Sequence, residues 1–263
     1  MMVPPVTYES KGAGPETIVF LHGIGGDARS FASQLDALAP LRRAVAWNMP
    51  GYAGSPPVAS LSFSDLADGL ADLLDRLNIE RADLFGHSIG GMVALEFAAT
   101  RPERVRSLIL CATTPAFGGK DPGFAEQFLK ARLAPLDAGK SMAELAGAAI
   151  PAVIGEGADA AGVALIQKSM SEIPVGAYRT AIQCLVTFDR RESLPSIEAP
   201  ALLIAGERDT NAPARTMQKM AETMPNAHYV EIKGAGHLMP NERPGEINRL
   251  VADFLRGQGR NAT

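Results

Sequence analysis

Six short apolar runs recur along the chain, at Thr17–Leu21, Arg43–Trp47, Ala82–Phe85, Ser107–Cys111, Ala201–Ala205 and His228–Ile232. They are nearly continuous in hydrophobicity rather than alternating, as expected of strands in a parallel sheet covered on both faces by helices. Between the second and third runs, Phe63, Leu66, Ala67, Leu70, Leu73, Leu74 and Leu77 recur at helical spacing. Ser62 and Asp65, three residues apart at the start of that stretch, are the pair a capped helix start requires. This alternation of strand and helix predicts an α/β fold with a right-handed, doubly wound sheet.

The rhythm breaks between residues 118 and 189. No strand pattern occurs there, and Phe124–Ala134, Ser141–Ile154, Ala160–Glu172 and Val175–Phe188 all read as helices. The expectation is a core domain of residues 1–117 and 190–263 with a helical cap, 118–189, inserted over the carboxyl ends of the strands. Ligands of open α/β sheets bind at those ends. The tail after Arg256 is expected to fray, and no internal repeat is evident.

Composition narrows the function. The 263 residues suffice for one large α/β domain or two small ones, and 46% hydrophobic content supports a substantial core. A net charge of −4 with no basic cluster argues against nucleic acid as a partner. No apolar run is long enough to span a bilayer. The N-terminus lacks a basic segment followed by an apolar core, so the cytoplasm is the default location. Cys111 and Cys184 read as buried free thiols. The four histidines lack metal-ligand spacing, and no phosphate-binding glycine motif follows a strand, so neither metal nor nucleotide cofactor is expected.

The chemistry concentrates around Gly86-His87-Ser88-Ile89-Gly90, between a strand pattern and the apolar helix pattern that follows. Ser88 falls on a sharp turn where its backbone is strained, and Gly86 and Gly90 leave room where a Cβ would collide with a neighbouring element. The pentapeptide alone is also met as a simple glycine-rich turn. A serine hydroxyl becomes a nucleophile only with a base in reach and a third group to orient the base. His237, in Lys-Gly-Ala-Gly-His after the last strand, suits the base. Asp209, just after the penultimate strand, suits the acid, with Glu207 and Asp189 as competitors. The order Ser, Asp, His is that of the nucleophile-elbow fold. After the first strand comes His22-Gly23-Ile24-Gly25-Gly26. The backbone N–H groups of Ile24 and Ile89 are the candidates to receive an oxyanion. His22 reads as a brace for its loop, while His87 and His228 have no assigned role.

Taken together, the His-Gly loop, elbow, acid and histidine resemble the α/β-hydrolases over essentially the whole chain. Asn48-Met49-Pro50-Gly51-Tyr52-Ala53-Gly54-Ser55 resembles the Asp-x-Pro-Gly-x-Gly-x-Ser turn of that family, with Asn48 and Ala53 in place of Asp and Gly. The resemblance implies a mostly parallel sheet of about seven or eight strands and a serine hydrolase acting through an acyl-enzyme on Ser88. Ser88 argues against haloalkane dehalogenases and epoxide hydrolases, which carry aspartate there. The Gly-Glu-Arg-Asp and Gly-Ala-Gly-His segments are most similar to those of 3-oxoadipate enol-lactonases and small carboxylesterases. The implied substrate is a small ester or lactone, with no cofactor and no stated oligomeric state. Carbon–carbon hydrolases of meta-cleavage pathways are the alternative, although they typically carry tryptophan where this chain has Leu238. A ligand receptor of the same fold is a further alternative. An enol-lactone carries carboxylates, but Lys120, Lys130, Arg132, Lys168 and Arg179 in the cap all read as solvated charges. Met142 and Met170 read as packing.

Overall fold

The computed structural model describes residues 4–118 and 123–258, so Lys120 lies outside the described residues. Seven strands form one sheet: β1 (Tyr8–Lys11), β2 (Thr17–Leu21), β3 (Arg43–Trp47), β4 (Ala82–His87), β5 (Val105–Cys111), β6 (Ala201–Gly206) and β7 (Ala227–Ile232). Their spatial order is β1-β3-β2-β4-β5-β6-β7, parallel throughout except for β1, which runs antiparallel to β3. Six of the seven coincide with the apolar runs. The exception, β1, has the sequence Tyr-Glu-Ser-Lys with every residue exposed. It pairs at the sheet edge through main-chain bonds and buries no face, so hydrophobic patterning could not reveal it.

Alternate residues of the buried strands feed two cores. Val19, Leu21, Leu84, Leu108 and Leu110 meet α2 (Phe63–Arg76) and α3 (Ile89–Thr100) on one face. Ile18, Phe20, Phe85, Ile109 and Ile204 meet α1 (Ala32–Leu38) and the helix Pro244–Gln258 on the other. The last of these continues through Gln258, and the rest of the tail expected to fray after Arg256 lies outside the described residues. Ser62 and Asp65 form the expected reciprocal capping box at the start of α2.

Four helices lie between β5 and β6: α4 (Phe124–Asp137), α5 (Met142–Ala149), α6 (Ala160–Ser171) and α7 (Val175–Leu185). Three end earlier than the pattern suggested, α6 by a single residue, while α4 runs on to Asp137. Ile150 still has a helical backbone and its N–H reaches Ala146 O, but Pro151 has no N–H to continue the ladder, so α5 stops short of Ile154. Beyond α7, Thr187 turns back onto the Cys184 carbonyl through both its N–H and its hydroxyl. The segment's two ends are tied together by Phe117 N–H to Phe188 O and Arg190 N–H to Pro115 O. Arg190 also grips buried Glu96 of α3 with two hydrogen bonds of 2.7 and 2.6 Å. Helix α6 packs on the turn Ala28–Phe31 and on a short helix at Met239–Glu242, bringing the segment over the strand ends. The remaining helix, Ala214–Thr223, links β6 to β7.

Candidate active site

Ser88 connects β4 to α3 with φ +55° and ψ −121°, a left-handed backbone on a residue with a Cβ. Such a conformation costs about 1–2 kcal/mol and persists only where the surroundings impose it. Here they do. Ser88 N–H donates to Cys111 O at 3.0 Å, and its carbonyl accepts from Gly91 N–H and the Thr113 hydroxyl. A Cβ on Gly86 would stand 2.5 Å from Gly90 O, and one on Gly90 only 2.0 Å from Leu21 O. The two glycines thus let the elbow press against its own helix and against β2.

Loops from two other strands converge on the serine. His237 Nε2 lies 3.0 Å from Ser88 Oγ, and His237 Nδ1 lies 2.8 Å from Asp209 Oδ2. A carboxylate only accepts, so the imidazole proton sits on Nδ1 and the Nε2 lone pair faces the serine hydroxyl. The other Asp209 oxygen accepts from Asn211 N–H at 2.8 Å and Ala212 N–H at 2.9 Å. Burial alone would raise the pKa of Asp209. The His237 ring beside it and these amide donors outweigh that effect and hold it below the ordinary value. The two competing acids are engaged elsewhere: Glu207 accepts from Gly234 N–H, and Asp189 pairs with Arg191.

The His237 backbone is clamped on every side. Its N–H donates to Val153 O at 2.7 Å, and its carbonyl accepts from His87 Nε2 at 2.8 Å. Glu242, almost fully buried, takes the N–H groups of Gly236 and Leu238 on either side of the histidine, at 2.8 and 2.7 Å. It also takes Gly155 N–H from the loop after α5. Sequence reasoning missed Glu242. Its signal is slight, a single acid in the short apolar turn Leu-Met-Pro-Asn-Glu. His87, also without a role at that stage, is a second brace. Burial and the neighbouring His237 push its pKa down to about 3, so it remains a neutral donor.

The loop after β2 lies against the elbow. A Cβ on Gly23 would come within 3.3 Å of Ser88 Cβ and 2.9 Å of His87 Nδ1. His22 braces this loop as anticipated: its Nε2 accepts from Met49 N–H at 3.0 Å and its Nδ1 donates to Gly23 O at 2.8 Å. Burial lowers its pKa to about 4, leaving the ring neutral. The Tyr52 hydroxyl donates to Ile24 O at 3.1 Å. Among the described residues, the N–H groups of Ile24 and Ile89 meet no acceptor. The turn from Asn48 to Ser55 is structural, with Asn48 Oδ1 accepting from Ala28 N–H and Ser55 Oγ donating to Asn48 O. Exposed His228 stands apart from the site.

Ser88 and His237 open into a cavity of about 650 Å³ whose far walls come from α4, α6 and α7. Phe128, Ile166, Met170 and Ile182 make those walls largely apolar. One side chain of this segment, Arg132, departs from expectation. Met142 and Met170 both pack in the core as expected, and Met170 lines the cavity as well. Arg132 also lines the cavity rather than facing solvent alone, whereas Lys130 and Lys168 are exposed and Arg179 pairs with Asp137. Cys111 and Cys184 are buried free thiols. Among the described residues, no three His, Cys, Asp or Glu side chains cluster as metal ligands would.

Comparison with known proteins agrees with this geometry. A protein of Pseudomonas savastanoi pv. phaseolicola provisionally named carbamate hydrolase RutD is 31% identical, covering 95% of this chain and 98% of that one. The 3-oxoadipate enol-lactonase 1 of Acinetobacter baylyi is 27% identical over 92% of this chain and 91% of its own. Among solved structures, a thermophilic esterase from Thermogutta terrifontis, with malate bound, superposes with a TM-score of 0.88 at 25% identity. That match covers 96% of this chain and 93% of the esterase. The sequence profile of the alpha/beta hydrolase family matches residues 18–250, and with the elbow, the parallel sheet and the converging strand-end loops it follows that this chain belongs to the alpha/beta hydrolase family.

Proposed function

We propose that the protein is a serine hydrolase that cleaves a small carboxylic ester or lactone through an acyl-enzyme on Ser88. The observation that carries this reading is the hydrogen-bonded series Ser88 Oγ–His237–Asp209, set beside two backbone N–H groups without acceptors. In the first half-reaction, His237 Nε2 takes the Ser88 proton as Oγ attacks the acyl carbon. Asp209 holds the ring and steadies the imidazolium that forms. The carbonyl oxygen gathers negative charge against the Ile24 and Ile89 N–H groups, the latter at the start of a helix. Collapse of the tetrahedral species breaks the acyl–oxygen bond, and the imidazolium proton goes to the departing oxygen. Water then repeats the sequence on the acyl-enzyme. The net change is ester plus water to acid plus alcohol; in an enol-lactone the leaving oxygen stays tethered and becomes a ketone.

Residues 118–189 act as the cap in this reading, with α4, α6 and α7 closing the cavity over the reacting carbonyl. The enol-lactonase among the relatives and the esterase among the structural neighbours favour carboxylic esters and lactones over carbon–carbon substrates. A panel of enol-lactones, short-chain esters and meta-cleavage products, followed spectroscopically, tests the choice. Sustained turnover of esters or lactones is expected. Faster cleavage of a meta-cleavage product, or no turnover of any, would overturn it.

A further inference from the structure

Arg132 is the unmatched charge of the cavity. Among the described lining residues there is no Asp, Glu or Lys, and the only Lys or Arg side chains are Arg132 and Arg191. Arg191 is already neutralised, its guanidinium held by both oxygens of Asp189. Arg132 makes neither ion pair nor hydrogen bond among the described residues. Its guanidinium carbon lies 5.2 Å from the centroid of the Phe128 ring. That contact orients the cation while leaving its donors unused.

Beside it stands a second unused donor. Tyr178 is 2% exposed and lines the same cavity, yet among the described residues its hydroxyl has no hydrogen-bond partner. Burial raises its pKa and the Arg132 charge opposes that rise, so cation and phenol feel each other's field. Tyr178 also interacts electrostatically with Tyr52, whose hydroxyl holds Ile24 O. Both donor groups therefore share a cavity wall with the loop that faces Ser88, and much of the rest of that wall is apolar.

We propose that Arg132 and Tyr178 form an anion subsite, and that the substrates are esters or lactones whose acyl part carries a carboxylate beyond an apolar spacer. The proposal rests on the hydrolase reading for the reacting end of the substrate only. A carboxylate accepts the two parallel N–H bonds a guanidinium offers, and the phenol adds a third. The acyl carbonyl then lies toward Ser88, while the spacer runs along Phe128 and Ile182.

The test compares mono-4-nitrophenyl adipate with 4-nitrophenyl hexanoate, which match in acyl length and differ in the terminal carboxylate. The ratio of their kcat/KM values should favour the adipate. Arg132→Gln should lower that ratio about 10- to 100-fold, mainly through KM, and Arg132→Lys should restore part of it. Tyr178→Phe should lower it about 2- to 10-fold. Raising the salt concentration should shrink the wild-type preference. A ratio unmoved by Arg132→Gln, or equal losses on both esters, would overturn the subsite and leave the hydrolase reading standing. If neither ester is turned over, the hydrolase reading fails, and calorimetric binding of adipamate against hexanamide reads the subsite alone. Adipamate binding weakened about 10-fold or more by Arg132→Gln supports it; equal binding of the two amides by the wild-type protein overturns it.

Discussion

The strand-end loops around Ser88 and the helical wall opposite them enclose one cavity but are built by different rules. On the loop side, main-chain bonds hold nearly everything. Ser88 is locked by Cys111 and Thr113, His237 by Val153, His87 and Glu242, and Asp209 by two amides in its own turn. On the helical side, α4, α6 and α7 present mostly apolar side chains, and among the described residues Arg132 and Tyr178 make no hydrogen bond or ion pair, Arg132 only stacking on Phe128. A network of main-chain bonds tolerates little change without moving the reacting atoms. A wall of side chains on helices can be altered residue by residue. The reaction thus belongs to the loops, and the choice of substrate to the wall.

The largest expected effect falls on the loop side. Ser88→Ala should cost about 10⁶-fold in kcat, with residual turnover from the remaining oxyanion donors. Retention of more than a few per cent of activity would break the division between loops and wall. Asp209→Asn should cost about 10⁴-fold, because the amide no longer selects the tautomer with Nε2 free. Steady-state kinetics of Asp189→Asn and Glu207→Gln serve as controls, and a loss of comparable size in either would reassign the acid.

Glu242→Ala probes the scaffold beneath the loops. It strips the acceptor from three N–H groups at a nearly fully buried site. Each stranded donor costs about 1–3 kcal/mol, so unfolding stability should drop by at least about 3 kcal/mol. Urea titration measures this, and a change below about 1 kcal/mol would mean that the clamp on His237 lies elsewhere.

Acid sensitivity also separates the two regions, since both buried histidines, His22 in its loop and His87 at the end of β4, lie on the side of Ser88. His22 and His87 have folded pKa values lowered to about 4 and about 3. Below pH ~6.5 the unfolded chain takes up protons that these rings refuse, so their contribution is complete above that pH and is lost as pH falls toward 4. Each ring adds a slope of about 1.4 kcal/mol per pH unit within that window. Urea midpoints at pH 7.5, 6 and 5 should fall steadily, and His87→Gln should flatten the slope. Equal slopes in wild type and variant would contradict this assignment.

What could be read before the structure follows the same division. The buried strands were legible because continuous apolar runs have few other uses, whereas polar β1 pairs only through its backbone. Ser88, Asp209, His237, Ile24 and Ile89 were legible because each follows a strand at one end of the sheet. The structure brings the first three into hydrogen-bond contact and leaves the last two N–H groups without acceptors. Glu242 was not legible, since its partners Gly155 and Gly236 come from distant segments that meet only in three dimensions. Arg132 was hidden for a related reason. A lone cation in an irregular helix looks like surface charge until α4 and α7 place it beside Phe128 and Tyr178 over a cavity.

The central claim, that turnover passes through Ser88, is tested most directly by titrating the protein with a fluorophosphonate. Ester hydrolysis is followed against the fraction of chains carrying an adduct, with the modified peptide located by mass spectrometry. The account predicts a linear fall to zero at one adduct per chain, on the peptide containing Ser88. Hydrolysis that persists when Ser88 is fully modified would contradict it.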